Sequence, residues 1–277
     1  MMINRHKKIL VTSSITLLFI NIFSGNIPPN QSLKKIGINP DFNSKALAIP
    51  AAATKGIEYK PPSRGAPSTT ASGGARVVDW PPPPEGGNRI KPAFCSFPLL
   101  VSLVPENHFG LTTSGYPTFL WYVTENLASE EILREMEFEL KQVGKNEPIY
   151  KDKIPVERKP AIVQIQLPKN SPQMVTGQEY VWSVSTLCVA NGEIKKMMVQ
   201  SSIRRVAPTP ALTRLLGAAK SEREQASAYA VEGFWYDAVA TLVKAADRNP
   251  DDRAIAEDFY SLLDQVGLNE VTAKVRQ

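Results

Sequence analysis

The sequence predicts an α+β protein: an antiparallel immunoglobulin-like β-sandwich followed by a small C-terminal helical region of repeat type. Two changes of rhythm carry that expectation. Between Phe94 and Val206 apolar residues recur at every second position, the mark of half-buried strands, and after Pro208 they recur at helical spacing. A stretch rich in Pro, Gly, Ala, Ser and Thr lies ahead of both and marks where the folded part begins.

In the β region, FPLLVSLV at 97–104 and TFLWYV at 118–123 are apolar enough for central strands. REMEFELKQ at 134–142 alternates: Met136, Phe138 and Leu140 face a core while Glu135, Glu137, Glu139 and Lys141 face water. PIYKDKI, AIVQIQL, EYVWSVSTLC and MMVQSSIRRV add further strands, separated by the turn signals KNEP, PKNSP, GQ and ANGE. About seven short strands at this spacing argue for an immunoglobulin-like sandwich. Tyr180, Trp182, Val184, Thr186 and Cys188 share one parity, which aims large residues and a sulfur at the core.

The chain has two cysteines, Cys95 and Cys188. In an oxidising compartment they are expected to form one disulfide, worth roughly 4 to 5 kcal/mol in the chain-entropy account; two separately buried thiols are the alternative. The antibody pattern, with Tyr two residues before the second Cys, is not reproduced, since Thr186 stands there.

In the helical region, Thr209 and Pro210 form a cap and first turn, and Leu212, Leu215 and Leu216 make a short stripe ended by Gly217. Ser221 with Glu224 is a capping box, and Gly233 closes the helix it opens. A second helix is expected from Trp235 to Arg248, and a third after Asn249-Pro250-Asp251-Asp252, with Ile255, Phe259, Leu262, Leu263 and Val266 on one face and Gly267 at its end. Tyr229, Gly233, Ala238, Leu242, Ala245 and Pro250 fall at the spacings of a tetratricopeptide repeat, although Gln225 occupies a place where that repeat usually has leucine. One such unit cannot bury its own face and needs a neighbour to cover it. Phe234, Trp235, Tyr236 and Tyr260 are the candidate interaction surface. Their alternative role is to fill the seam between the helices and the sandwich.

The first residues follow the grammar of an export signal: a basic start at Arg5-His6-Lys7-Lys8, then the mostly apolar run Ile9 to Phe23. That run is short of the ~20 residues that span a bilayer, so a leader is favoured over a retained anchor, and no stable transmembrane span is expected in the mature form. Residues 1–26 are read as the signal peptide, with a cut near Ser24-Gly25-Asn26 or, further on, after Ala46-Leu47-Ala48. Residues 49–91 read as a disordered linker, 92–206 as the sandwich and 208–277 as the helical hairpin region.

The formal net charge of +5 resides in residues 1–48, leaving the remainder neutral and giving no support to nucleic-acid binding. His6 lies in the leader, so His108 is the one imidazole of the mature chain, which argues against a metal site. No nucleophile elbow, P-loop or dinucleotide fingerprint is present, and no cofactor is expected. The Glu135, Glu137, Glu139 row reads as a solvated sheet face and not as paired catalytic carboxylates.

GLTTSGYPTFLWYV (110–123), GQEYVWSVSTLCVANG (177–192), EREQASAYAVEGFWYDAVATL (222–242) and QVGL (265–268) together resemble a family of uncharacterised secreted cyanobacterial proteins, the domain-of-unknown-function family number 928. Val189 stands where that family commonly has an acidic residue. The resemblance implies an exported protein with a β domain followed by helices and no assigned activity, and it carries over no catalytic residue. The expected function is that of an exported, periplasmic or extracellular, non-catalytic interaction or scaffolding module whose partner is an envelope protein or polysaccharide. An envelope polysaccharide hydrolase with unrecognised carboxylates is the alternative.

Overall fold

The computed structural model describes residues 33–35, 56–62, 100–105, 110–124, 132–155, 160–190 and 193–276. The expected signal peptide (1–26), Cys95 and His108 lie outside them. All the described residues belong to one compact unit that begins at Ser32.

Strands and helices are both present, with the helices C-terminal, so the α+β expectation holds. One sheet has four strands in the order β1 (Leu33–Lys35), β7 (Ala161–Gln166), β4 (Thr118–Val123), β2 (Leu100–Ser102). The other has five, in the order β3 (Gly110–Thr112), β9 (Glu193–Arg205), β8 (Glu179–Ala190), β5 (Ile132–Gln142), β6 (Pro148–Pro155). Each pairing is antiparallel except β3 with β9, where Gly110 lies opposite Ile203 in a parallel register. The period-two reading located every strand from β4 to β9. It missed β1 and β3, three-residue strands too short to display a period.

The sheets meet through aromatic rings that alternation points inward. Phe119 of β4 lies 5.1 Å from Phe138 of β5 and 5.5 Å from Trp182 of β8, and Trp121 stacks on Phe138 at 6.3 Å. Each of these four rings is fully buried, and burying a side chain of this size contributes about 1.5 to 3 kcal/mol. Tyr180, Trp182, Val184 and Thr186 are buried, as their shared parity predicts. The Tyr180 hydroxyl accepts a hydrogen bond from the Val175 N–H at 2.9 Å, fastening the start of β8 to the loop before it. On the outer face, Lys151 pairs with Glu137 and Glu139, each at 3.0 Å, and Lys153 pairs with Glu135 at 3.1 Å. The glutamate row is therefore a solvated ladder facing lysines on the neighbouring strand.

Five helices follow: α1 (Pro210–Ala218), α2 (Glu222–Val231), α3 (Trp235–Arg248), α4 (Arg253–Gln265) and α5 (Asn269–Val275). Thr209 caps α1 through its side chain, Ser221 caps α2 and Asp252 caps α4. Gly217 does not end α1, which runs on to Ala218. Gly233 (φ +82°) and Gly267 (φ +87°) do close α2 and α4. Arg223 of α2 forms an ion pair with the buried Asp258 of α4, tying these helices together. Among the described residues no helix is long and apolar enough to cross a membrane.

Candidate functional site

The start of α3 carries the run Phe234-Trp235-Tyr236-Asp237, and its four side chains go to four different places. Phe234 joins Leu212 and Ala228 in a small cluster beneath α1. Tyr236 enters the end of the sheet core: its ring lies 5.8 Å from Phe119, and its hydroxyl accepts the Trp182 indole N–H at 2.6 Å and donates to the Ser202 carbonyl at 3.3 Å. Burial pushes the Tyr236 phenol well above its usual range. Gly110 of β3 faces this ring so closely that a Cβ there would sit 2.2 Å from it, which explains a glycine in a strand.

Asp237 in the first turn of α3 accepts from the Thr113 N–H at 3.0 Å and the Thr113 hydroxyl at 2.9 Å, so the loop following β3 is tied to the start of the helix. Desolvation raises the Asp237 carboxyl above its ordinary value, and the Thr113 hydrogen bonds oppose part of that rise. Trp235 donates its indole N–H to the Leu103 carbonyl at 2.9 Å. Tyr260 on α4 lies under the Arg276 guanidinium, 5.0 Å from the ring centroid.

The candidate interaction surface is thereby corrected. Phe234, Trp235, Tyr236 and Tyr260 are at most 5 % exposed, so they form core and not a free surface. The physical reason is that one helical hairpin cannot cover its own face: the end of the two-sheet core covers Tyr236, Leu212 of α1 packs with Phe234, Tyr59 lies against Trp235 and Arg276 lies over Tyr260.

The second face of Trp235 leads to a site the sequence did not reveal. Residues 56–62, inside the stretch read as a disordered linker, run extended across α2, α3 and α4. Ile57 and Tyr59 are buried, while Glu58, Lys60 and Pro61 are exposed. The Tyr59 ring packs edge-on against Trp235 at 5.0 Å. Gln265, at the end of α4, uses both ends of its amide: it donates to the Ile57 carbonyl at 2.8 Å and accepts the Tyr59 N–H at 2.8 Å. The Lys60 N–H reaches the Ala230 carbonyl in the last turn of α2 at 3.1 Å. Gly233 gives this segment room, for a Cβ there would lie 3.0 Å from the Lys60 carbonyl oxygen and 3.3 Å from Pro62. The Tyr59 hydroxyl is buried without a hydrogen-bond partner, and burial raises its pKa.

One signal was available in the sequence. Ile57-Glu58-Tyr59-Lys60-Pro61-Pro62 alternates apolar and charged residues before two prolines, a brief period-two pattern amid small residues. Neither Gln265 nor Asp237 carries such a mark. Among the described residues no group of three or more His, Cys, Asp or Glu side chains is placed to hold a metal ion.

Fold and site together define a two-sheet α+β protein closed at one end by a helical unit, with a groove in that unit that holds an extended stretch of the same chain. The chain belongs to the family described as Domain of Unknown Function (DUF928), whose pattern matches residues 84–275. The grooved segment lies ahead of that match. No curated protein matches the chain. Among solved structures it is similar to Astrotactin-2, described as a conserved vertebrate-specific, perforin-like membrane protein involved in neuronal development, at 10% identity and a TM-score of 0.25. That match covers 64% of this chain and 38% of the other, so the chain spans well under half of the structure it resembles.

Proposed function

We propose that the chain is an exported cell-envelope protein that works as a non-catalytic interaction or scaffolding module, with an envelope protein or polysaccharide as partner. The observation that carries this reading is the occupied groove of the helical unit, a surface shaped to hold extended chain through its backbone. The glutamate row, engaged side by side with Lys151 and Lys153, lends nothing to the hydrolase alternative.

Export rests on the basic start and short apolar run of residues 5–23. Of the two candidate cuts, the one near Ser24-Gly25-Asn26 is favoured, because a cut after Ala48 would remove β1 and strip the edge of β7. A Cys95–Cys188 disulfide accords with that compartment, Cys188 lying on β8 opposite Ile132.

The immunoglobulin-like reading of the sheets is supported by strand order. β2, β4 and β7 take the places of strands A, B and E, while β5, β8 and β9 take those of C, F and G. Tyr180, at the start of the F-like strand with its hydroxyl held by backbone five residues upstream, has the form of a tyrosine corner. Phe119 and Trp182 touch where antibody domains place a disulfide between strands B and F. The tetratricopeptide-like reading of α2 and α3 is supported by the burial of Ala238, Leu242 and Ala245 along their shared face.

The test is fractionation with N-terminal sequencing, followed by crosslinking in envelope extracts. The expected result is a mature chain starting after residue 23, in the exported fraction, with the same crosslinked partner recovered in repeated extracts. An intact Met1 in the cytosolic fraction, or no partner above background, overturns the proposal.

A further inference from the structure

We propose that the groove bounded by α2, α3 and α4 is a peptide-recognition site for an extended segment of a partner protein, and that Gly56–Pro62 occupies it as a strap in cis. The partner segment carries an aliphatic residue, an aromatic residue two positions later and proline two or three positions after that. This inference rests on the interaction-module reading and gives that module its site.

The strap is held as a bound peptide is held. Its side chains alternate, with Ile57 and Tyr59 in the groove and Glu58 and Lys60 outside, so two pockets read every second residue. Its backbone meets Gln265 twice and the Ala230 carbonyl once, contacts that any extended chain reproduces. It pairs with no strand and adds to neither sheet, although two sheets lie in the same unit. The floor of the aromatic pocket is Trp235, which the Leu103 carbonyl fixes in place and which does not need Tyr59 to set its orientation. That pocket offers the Tyr59 hydroxyl no partner, so it selects a ring and gains nothing from the phenol. Gly233 forms a bare wall where the Lys60 carbonyl and the second proline, Pro62, pass, and its positive φ keeps the wall bare.

The strap is also a competitor. In sequence the strap is separated from β2 by residues 63–99, and at ~3.3 to 3.6 Å per extended residue chain length alone does not oblige it to lie in the groove. Because the strap is part of the same chain, its occupation of the groove is an intramolecular event, and a partner segment displaces it once its own concentration and contacts outweigh that advantage. Site and strap thus form a latch that a matching segment opens.

The experiment uses the full-length chain and a fluorescein-labelled peptide spanning residues 54–64. In the Ile57→Asp/Tyr59→Asp variant the groove is vacated; the expected result is a cooperative unfolding transition with helical circular dichroism retained, and saturable peptide binding by anisotropy. The parent should bind the same peptide about tenfold or more weakly, because its own strap competes. Adding Gln265→Ala to the vacated variant should weaken binding about tenfold through loss of two backbone hydrogen bonds, and a peptide with both anchors replaced by Asp should not bind. Loss of cooperative unfolding in the vacated variant would make the segment an integral part of the fold and overturn the proposal. So would a folded variant that fails to bind the peptide, or equal binding by variant and parent. If binding fails while crosslinked partners are still recovered from envelope extracts, the module reading survives and its site lies elsewhere. If the peptide binds and no partner is found, the groove stands and the envelope role falls.

Discussion

Trp235 and Tyr236 are adjacent in sequence and equally buried, yet they serve two regions built on different terms. At the seam, Tyr236 has both roles of its hydroxyl satisfied, Asp237 is held by Thr113, and Gly110 yields its side chain to make room for the ring. In the groove, Tyr59 buries a hydroxyl that nothing satisfies, and one glutamine supplies two of the three backbone hydrogen bonds described. Complete polar satisfaction is costly to disturb, and partial satisfaction leaves an interaction that can be exchanged. The seam is where the molecule is made one unit, and the groove is where it holds something removable.

The largest effect should come from the seam. Tyr236→Ala empties an aromatic core site and leaves the Trp182 indole N–H without an acceptor, so it should cost about 3 to 5 kcal/mol. Because the ring bridges sheet and helix, the whole molecule should lose stability in a single transition, read by urea unfolding followed at once by tryptophan fluorescence and far-ultraviolet circular dichroism. If only the helical signal melts early, the two parts do not share a core and the contrast between the regions collapses.

Gly233→Val should come next, at roughly 1 to 3 kcal/mol for a positive φ imposed on a β-branched residue. It sharpens the comparison because the added Cβ meets the strap and not the seam. Thermal unfolding should show the loss. Combining Gly233→Val with the strap-vacating Ile57→Asp/Tyr59→Asp should recover the part due to the clash with the Lys60 carbonyl; an additive combination would mean that the backbone alone bears the cost.

How far the sequence could be read follows the same division. Periodicity places a residue on a face, and it correctly turned Phe138, Trp182, Leu242 and Leu263 inward. It also found the caps at Thr209, Ser221 and the glycine stop at Gly233, because caps are local chemistry. It could not tell that the four aromatics taken as a candidate surface would be covered, since the cover for Tyr236 comes from Phe119 and Trp182, far away in the chain. The brief alternation of Ile57 to Lys60 marks the strap in the sequence but not where it docks, because its order depends on a glutamine 206 residues on from Tyr59. Composition alone pointed to disorder there, and a few anchoring contacts outweigh composition only when the groove exists.

A smaller effect is expected in the pH dependence of the seam. The Asp237 carboxyl is raised above its ordinary value by desolvation, so the native state binds its proton more tightly than the unfolded chain does. Stability from this group is therefore fully present below the unfolded value and declines as pH rises through the folded one. Asp237→Asn should flatten that decline, seen as a shallower slope of melting temperature against pH upward from about 4 than in the parent. An unchanged slope would place the pH sensitivity elsewhere and remove Asp237 from the account of the seam.

The smallest expected effect tests the groove by subtraction. Tyr59→Phe deletes the hydroxyl that is buried without a partner and leaves intact the ring that packs on Trp235. Removing an unsatisfied buried polar atom relieves its desolvation and takes away no hydrogen bond, so stability should stay level or rise by up to about 1 kcal/mol. The same deletion at the seam, Tyr236→Phe, removes an acceptor from a fully buried indole and should cost about 1 to 3 kcal/mol. The pair of variants differs only in where the oxygen sits, and their opposite signs in denaturant melts are the direct measure of the difference between the regions. A clear loss of stability in Tyr59→Phe would mean that the phenol is held as the Tyr236 phenol is held, and the groove would then have to be counted as a second seam.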